Sequence, residues 1–243
     1  MYKSRKQSVY VFALIPLAIG IYAFALLQPV DNFVSCIIDP AKTSVKLYWK
    51  DDKGQRLKSL HGLKHYVESK GHQLLFAMNG GMYQQDGSPL GLYIQENKIL
   101  HAINKRTGTG NFYLQPNGIF YITKDNRATI CRTGDLADKG NIQYATQSGP
   151  MLLTNGSIHT AFNRNSVNLN IRNGVGILPG GKLLFAMSKV PVNFYDFASY
   201  FKKAGCSNAL YLDGFVSRTY LPEKNWLQTD GDFGVMIGAI VSK

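Results

Sequence analysis

The chain has 243 residues, 27 Lys and Arg against 15 Asp and Glu for a formal net charge of +12, and three cysteines. A field of that sign favours anionic partners, but the basic residues are scattered, without the dense run that marks a nucleic-acid arm. Cys36, Cys131 and Cys206 are too far apart for a metal-ligand spacing, and a domain of roughly 200 residues buries enough surface to need no disulfide framework.

Residues 1–30 stand apart from the rest. Lys3, Arg5 and Lys6 precede an uncharged run over residues 9–27, a length that crosses a bilayer. Ala23-Phe24-Ala25 is also an A-x-A-like cleavage site, so the segment reads as a signal anchor or a signal peptide. In either case the basic cluster stays in the cytoplasm, and residues 31–243 are exported to the periplasm, free or anchored to the inner membrane. Export sets nucleic acid aside as a partner. The exported part still has 24 basic residues against 15 acidic, suited to an anionic glycan or a membrane surface.

Short strands dominate residues 31–243. Runs rich in β-branched and aromatic residues, bounded by Gly, Pro, Asn or Asp, predict strands over residues 33–38, 45–49, 73–78, 91–95, 118–123, 128–131, 151–154, 174–178, 182–188, 209–212 and 233–241. A helix is predicted over residues 55–70, with Leu60, Leu63 and Val67 on one face and Gly71 as its stop. A second spans residues 194–204, capped by Asn193 and ended by Gly205. The run Leu-Leu-Phe-Ala-Met occurs at 74–78 and again at 183–187, but the likeness dies on both sides, so no duplication is inferred. Helices do not alternate with strands, which predicts a single α+β domain over residues 31–243 with one mixed, largely antiparallel sheet flanked by two main helices.

Polar-plus-glycine steps interrupt the strands at Asn79-Gly80-Gly81, Gln147-Ser148-Gly149-Pro150, Arg172-Asn173-Gly174 and Asp213-Gly214. They read as tight turns whose backbone something can approach closely, and the amides of Gly80, Gly81, Ser148 and Gly149 as donors to an anion. Asp213 stands out among few carboxylates because it ends an apolar strand, where it can act as base or nucleophile. Arg172 is the candidate counter-charge, and Asn79 a candidate for a sugar hydroxyl. No Gly-x-Ser-x-Gly elbow, zinc-type histidine pair or dinucleotide fingerprint is present, so neither a metal nor a cofactor is expected. Asp230-Gly231-Asp232 is only a fragment of a calcium loop.

In this order the motifs resemble a known family. Asn79-Gly80-Gly81-Met82-Tyr83, Ser88-Pro89-Leu90-Gly91-Leu92, Gly110-Asn111-Phe112, Gln147-Ser148-Gly149-Pro150, Arg172 with Val175-Gly176, and Gly205-Cys206 leading to Leu212-Asp213-Gly214 are similar to the phosphodiester glycosidase family, the domain of N-acetylglucosamine-1-phosphodiester alpha-N-acetylglucosaminidase. The likeness spans residues 33–241. It implies hydrolysis of a sugar 1-phosphodiester at the anomeric carbon, with Asp213 and Arg172 in catalytic roles and Asn79, Gly80, Gly81, Gln147, Ser148, Gly149 and Gly214 lining the pocket. Phe215-Val216 depart from the small residues that the resemblance leads one to expect after Asp-Gly, which narrows the pocket and leaves the sugar unspecified. The competing expectation is a membrane-anchored binder of anionic glycan without turnover.

Overall fold

Helix starts and strand ends follow local chemistry in the structure, a computed structural model that describes residues 32–137, 139–213 and 216–243. Ser59 accepts a hydrogen bond from the Gly62 amide and opens α1 (Leu60–Ser69). The helix begins later than its sequence suggests because residues 55–58 are already committed. Arg56 bridges to Lys50, and the Leu57 amide donates to the Trp49 carbonyl. Asn193 caps α2 (Phe194–Lys203) by accepting from the Asp196 amide, and Gly205 at φ 88° lies just beyond the end of the helix. The N-terminal segment 1–30 and Gly214 lie outside the described residues. Among the described residues no helix is long and apolar enough to cross a membrane.

The strands, in chain order, are β1 (Phe33–Ile38), β2 (Ser44–Tyr48), β3 (His72–Gly81), β4 (Tyr93–Gln95), β5 (Lys98–His101), β6 (Gly118–Thr123), β7 (Ala128–Arg132) and β8 (Ile142–Ser148). They continue with β9 (Met151–Thr154), β10 (Ser157–Ile158), β11 (Asn173–Ile177), β12 (Leu183–Ser188), β13 (Asn208–Asp213), β14 (Thr219–Leu221), β15 (Trp226–Leu227) and β16 (Val235–Ser242). The α+β class and the two helices stand, but the single mixed sheet does not. The strands form three sheets, ordered β1-β12-β11-β13-β9-β10, β15-β14-β3-β16-β2 and β5-β4-β8-β6-β7, and their pairings are antiparallel. One apolar sheet face cannot be closed by two ten-residue helices, whereas three sheets cover one another.

They meet around Phe185 of β12. Its ring lies 4.8 Å from Phe76 of β3 and 6.2 Å, edge-on, from Phe120 of β6, one aromatic from each sheet. Phe76 and Phe185 are the matching residues of the two Leu-Leu-Phe-Ala-Met runs, so both copies build one core. Outside this core, α1 lays Leu60, Leu63 and Val67 on the second sheet, and α2 lays Phe197, Ala198 and Phe201 on the first. Each of these Leu, Val and Phe side chains contributes about 1.5–3 kcal/mol through the apolar surface it removes from water.

Candidate active site

Strand ends from all three sheets converge on Asp213. It closes β13, Asn173 opens β11, Asn79 lies near the end of β3, and Ser148 ends β8. Two β-bulges aim these side chains. Gly80 is the extra residue where Asn79 and Gly81 face Met236 and Val235, and Leu212 is the extra residue where Asp213 and Tyr211 face Asn173 and Gly174. Bulges twist a strand locally and redirect its side chains. Glycine is required at 80 because a Cβ there would strike the Ile237 side chain. Asn79-Gly80-Gly81 is therefore a bulged strand end and not a tight turn. Neither glycine has positive φ, so Gly80 and Gly81 keep extended backbone through the bulge.

The polar groups spend themselves on one another. Asn79 Oδ1 accepts from Asn173 Nδ2 at 2.8 Å and from the Arg218 amide at 2.9 Å. With its oxygen so placed, Asn79 must turn Nδ2 toward Asp213, and it donates to Oδ2 at 3.1 Å. Asn173 Oδ1 accepts the Asp213 amide at 2.9 Å, and Asn173 Nδ2 also donates to the Asn79 carbonyl. This closed network ties the first sheet to the second in a dry setting, where each bond is strengthened and each loss is costly. Asp213 is 8% exposed, and it is the one carboxylate among the buried charged side chains of the described residues. Ser217 Oγ donates to the Asp213 carbonyl and Ser148 Oγ to the Leu212 carbonyl, fixing the strand end from two sides.

Two tyrosines sense the Asp213 charge. Tyr83 is pushed up to about 12, by burial first and then by Asp213 and Asp232, with Arg56 opposing. Burial also raises Tyr211 above the usual phenol range, with Arg172 lowering and Asp213 raising it. Arg172 has no surface exposed. Its Nε donates to the Val192 carbonyl at 2.8 Å, Nη2 to the Asn168 carbonyl at 2.9 Å and Nη1 to the Tyr211 hydroxyl at 3.4 Å, and the guanidinium lies 3.7 Å from the Phe194 ring centroid. Burial lowers its pKa, partly offset by Tyr211. Tyr211 thus feels both charges, Arg172 lowering its pKa and Asp213 raising it.

The remaining sequence candidates make contacts within the protein. Gln147 Oε1 accepts from the Leu92 and Asn104 amides and its Nε2 donates to the Asn104 carbonyl, so both ends of the amide hold a loop. Gly149 precedes Pro150 across a cis peptide and packs against Asn117 and the Phe112 carbonyl. Gly81 backs onto Thr146 and Val235. Sequence reasoning passed over Asn173, Tyr83 and Arg218 as site residues. Arg218 is about a third exposed at the rim, its Nε bonded to both oxygens of Asp230. Asp232 pairs with Arg56, so the calcium-like fragment anchors two arginines, and among the described residues no cluster of metal-type ligands is found. All three cysteines are free thiols.

The chain belongs to the phosphodiester glycosidase family, whose sequence model matches residues 72–236. It is 38% identical over 218 residues to the uncharacterized protein YigE of Escherichia coli, covering 89% of this chain and 85% of that one. Its fold is similar to the zebrafish N-acetylglucosamine-1-phosphodiester alpha-N-acetylglucosaminidase catalytic domain, solved auto-inhibited by its pro-peptide. That match has a TM-score of 0.58 and 18% identity over 87% of this chain and 84% of the other. A putative exported protein from Burkholderia pseudomallei shares the fold at TM-score 0.56 and 10% identity, over 85% and 73% of the two chains.

Proposed function

We propose that the chain is an exported hydrolase that cleaves a glycosyl-1-phosphodiester of envelope or surface polysaccharide at the anomeric carbon. Membership of the phosphodiester glycosidase family supports the reaction class. The observation that carries the reading to a residue is Asp213, a buried carboxylate oriented by the Asn79 amide where three sheets converge.

Ordinary glycosidases use two carboxylates, one of them to protonate the leaving oxygen. A phosphate departs without that help, which suits a site with one buried carboxylate. In the proposed reaction the oxygen of water ends on the anomeric carbon. The bond from that carbon to the bridging oxygen breaks, and the oxygen leaves with its electron pair on the phosphate. Asp213 serves either as base, taking the proton from water, or as nucleophile ahead of water. The products are a free sugar and a phosphomonoester. Arg172, its donors committed to protein, supports this from behind by holding Tyr211 in place. Residues 1–30 would carry the domain across the membrane, or anchor it there, so that it meets its anionic glycan outside the cytoplasm.

Sugar release from a panel of nucleotide-sugars and synthetic glycosyl phosphodiesters tests the reading, with Asp213→Asn alongside the parent chain. Release that Asp213→Asn abolishes supports it. Tight binding of these compounds with no release by the parent chain would contradict it and leave a binder in its place.

A further inference from the structure

A second feature shares two chain segments with the Asp213 site. A cavity of about 400 Å³ is lined by His101, Lys105, Arg106, Gln84, Tyr113 and Leu90 among others, with no carboxylate in its wall. Gln84 follows Tyr83, whose hydroxyl feels the Asp213 charge. Tyr113 belongs to a short turn, Asn111–Tyr113, that opens with Asn111, and the Asn111 side chain bonds the Tyr211 hydroxyl. A direct link runs through β8, where Gln147 holds Asn104 of the cavity wall and the next residue, Ser148, donates its Oγ proton to the carbonyl of Leu212 beside Asp213.

The cations in this wall are held at their base and free at their head. Gln147, buried, grips Asn104 through its amide and carbonyl, at 2.9 and 2.7 Å. Asn104 in turn donates to the Leu90 carbonyl at 3.0 Å and accepts the Arg106 amide at 3.0 Å. The backbone that carries Lys105 and Arg106 is thus fixed by a buried side chain. Both of their side chains are exposed, and among the described residues neither makes an ion pair or side-chain hydrogen bond. Arg56, Arg127, Arg132 and Arg218 all sit on carboxylates. Two unpaired cations on a rigid loop, over a cavity of ligand size without an acid, form a receptor for an anion.

We propose that this cavity is the leaving-group subsite. It takes the phosphomonoester half of the substrate, with Lys105 and Arg106 paired to the phosphate and Gln147 as the positioning residue of their loop. The assignment to a leaving group rests on the proposed function; the assignment of phosphate to the cavity does not.

The test is calorimetric titration of the intact chain with glycerol 3-phosphate, and steady-state kinetics on a glycosyl phosphodiester, using Lys105→Ala/Arg106→Ala as the main variant. Both residues are exposed, so the fold should tolerate the change. Glycerol 3-phosphate should bind the parent chain, and the double variant should bind it at least about tenfold more weakly. The remote pair Lys42→Ala/Lys203→Ala, outside the cavity wall and its strands and with the same charge change, should bind it like the parent. In kinetics the double variant, and Gln147→Met, should lower kcat/KM for the diester at least about tenfold, with part of the loss in kcat because the phosphate gains charge as the bond breaks. No binding by the parent, equal binding by the double variant, or equal weakening by the remote pair overturns the subsite. If no diester is hydrolysed yet the double variant alone loses glycerol 3-phosphate, the functional reading fails and the anion site stands. Hydrolysis with kcat/KM unchanged in the double variant removes the subsite and leaves the functional reading intact.

Discussion

The Asp213 strand ends and the 101–106 loop are both polar, and they use polarity in opposite ways. Around Asp213 the side chains of Asn79, Asn173, Arg172 and Ser148 are buried, and their hydrogen-bonding groups go to other parts of the protein. On the loop, Lys105 and Arg106 are exposed and have no partner among the described residues, while only their backbone is held. Buried polar groups that bond one another specify a geometry; exposed cations without carboxylates are available to a ligand. A conspicuous arginine in sequence, such as Arg172, can therefore belong to the first kind.

The largest effect that would break this division is at Asp213. Asp213→Asn keeps the shape and removes the charge, and should lower kcat by roughly three orders of magnitude or more, in line with the loss of an essential base or nucleophile, with circular dichroism unchanged. Full activity, or an unfolded chain, would assign Asp213 to the scaffold. Arg172→Lys keeps the charge but cannot reproduce the fork that reaches the Val192 and Asn168 carbonyls. It should lower Tm and, by loosening Tyr211, reduce kcat by less than Asp213→Asn does. An activity loss with Tm unchanged would instead favour direct contact with substrate.

Asn173→Ala probes the network itself. It strips the Asp213 amide of its acceptor and Asn79 of a donor, so stability should fall by about 2–4 kcal/mol, or roughly 5–15 °C in Tm. A change under about 0.5 kcal/mol would show that the network is slack. A further prediction concerns pH. Burial raises the Cys131 and Cys206 thiols from 9.0 to about 11. Below pH 9 both thiols are protonated in folded and unfolded chains alike, and stability is complete. Between pH 9 and 11 the unfolded chain releases protons that the folded chain keeps, so stability falls as pH rises. The urea midpoint should thus be lower at pH 10.5 than at pH 8, and a midpoint that rises would contradict the burial of these thiols.

Much of the fold was legible because burial and backbone agreed locally. Strands β1, β6 and β9 have the bounds that their apolar runs predict, and α2 begins after the expected Asn193 cap. Strand β8 was missed because it carries Gln143, Thr146, Gln147 and Ser148; it is a strand by virtue of its central place between β4 and β6. Asp213 was legible from the scarcity of carboxylates at apolar strand ends. Asn173 was not, since its function depends on a bulge that pairs it with Asp213 from 40 residues away. The destination of the Arg172 donors likewise depends on Asn168 and Val192, which only the tertiary fold brings to it. The three-sheet division was hidden because each strand looks the same whichever sheet receives it.

Hydrolysis in water enriched in oxygen-18 tests most directly the claim that attack occurs at the anomeric carbon. With a glycosyl phosphodiester substrate, mass spectrometry after one turnover should find the label in the released sugar and none in the phosphomonoester, whether Asp213 acts as base or as nucleophile. Label in the phosphate would mean that the phosphorus–oxygen bond is cut, and the chain would then be a phosphodiesterase rather than a glycosidase.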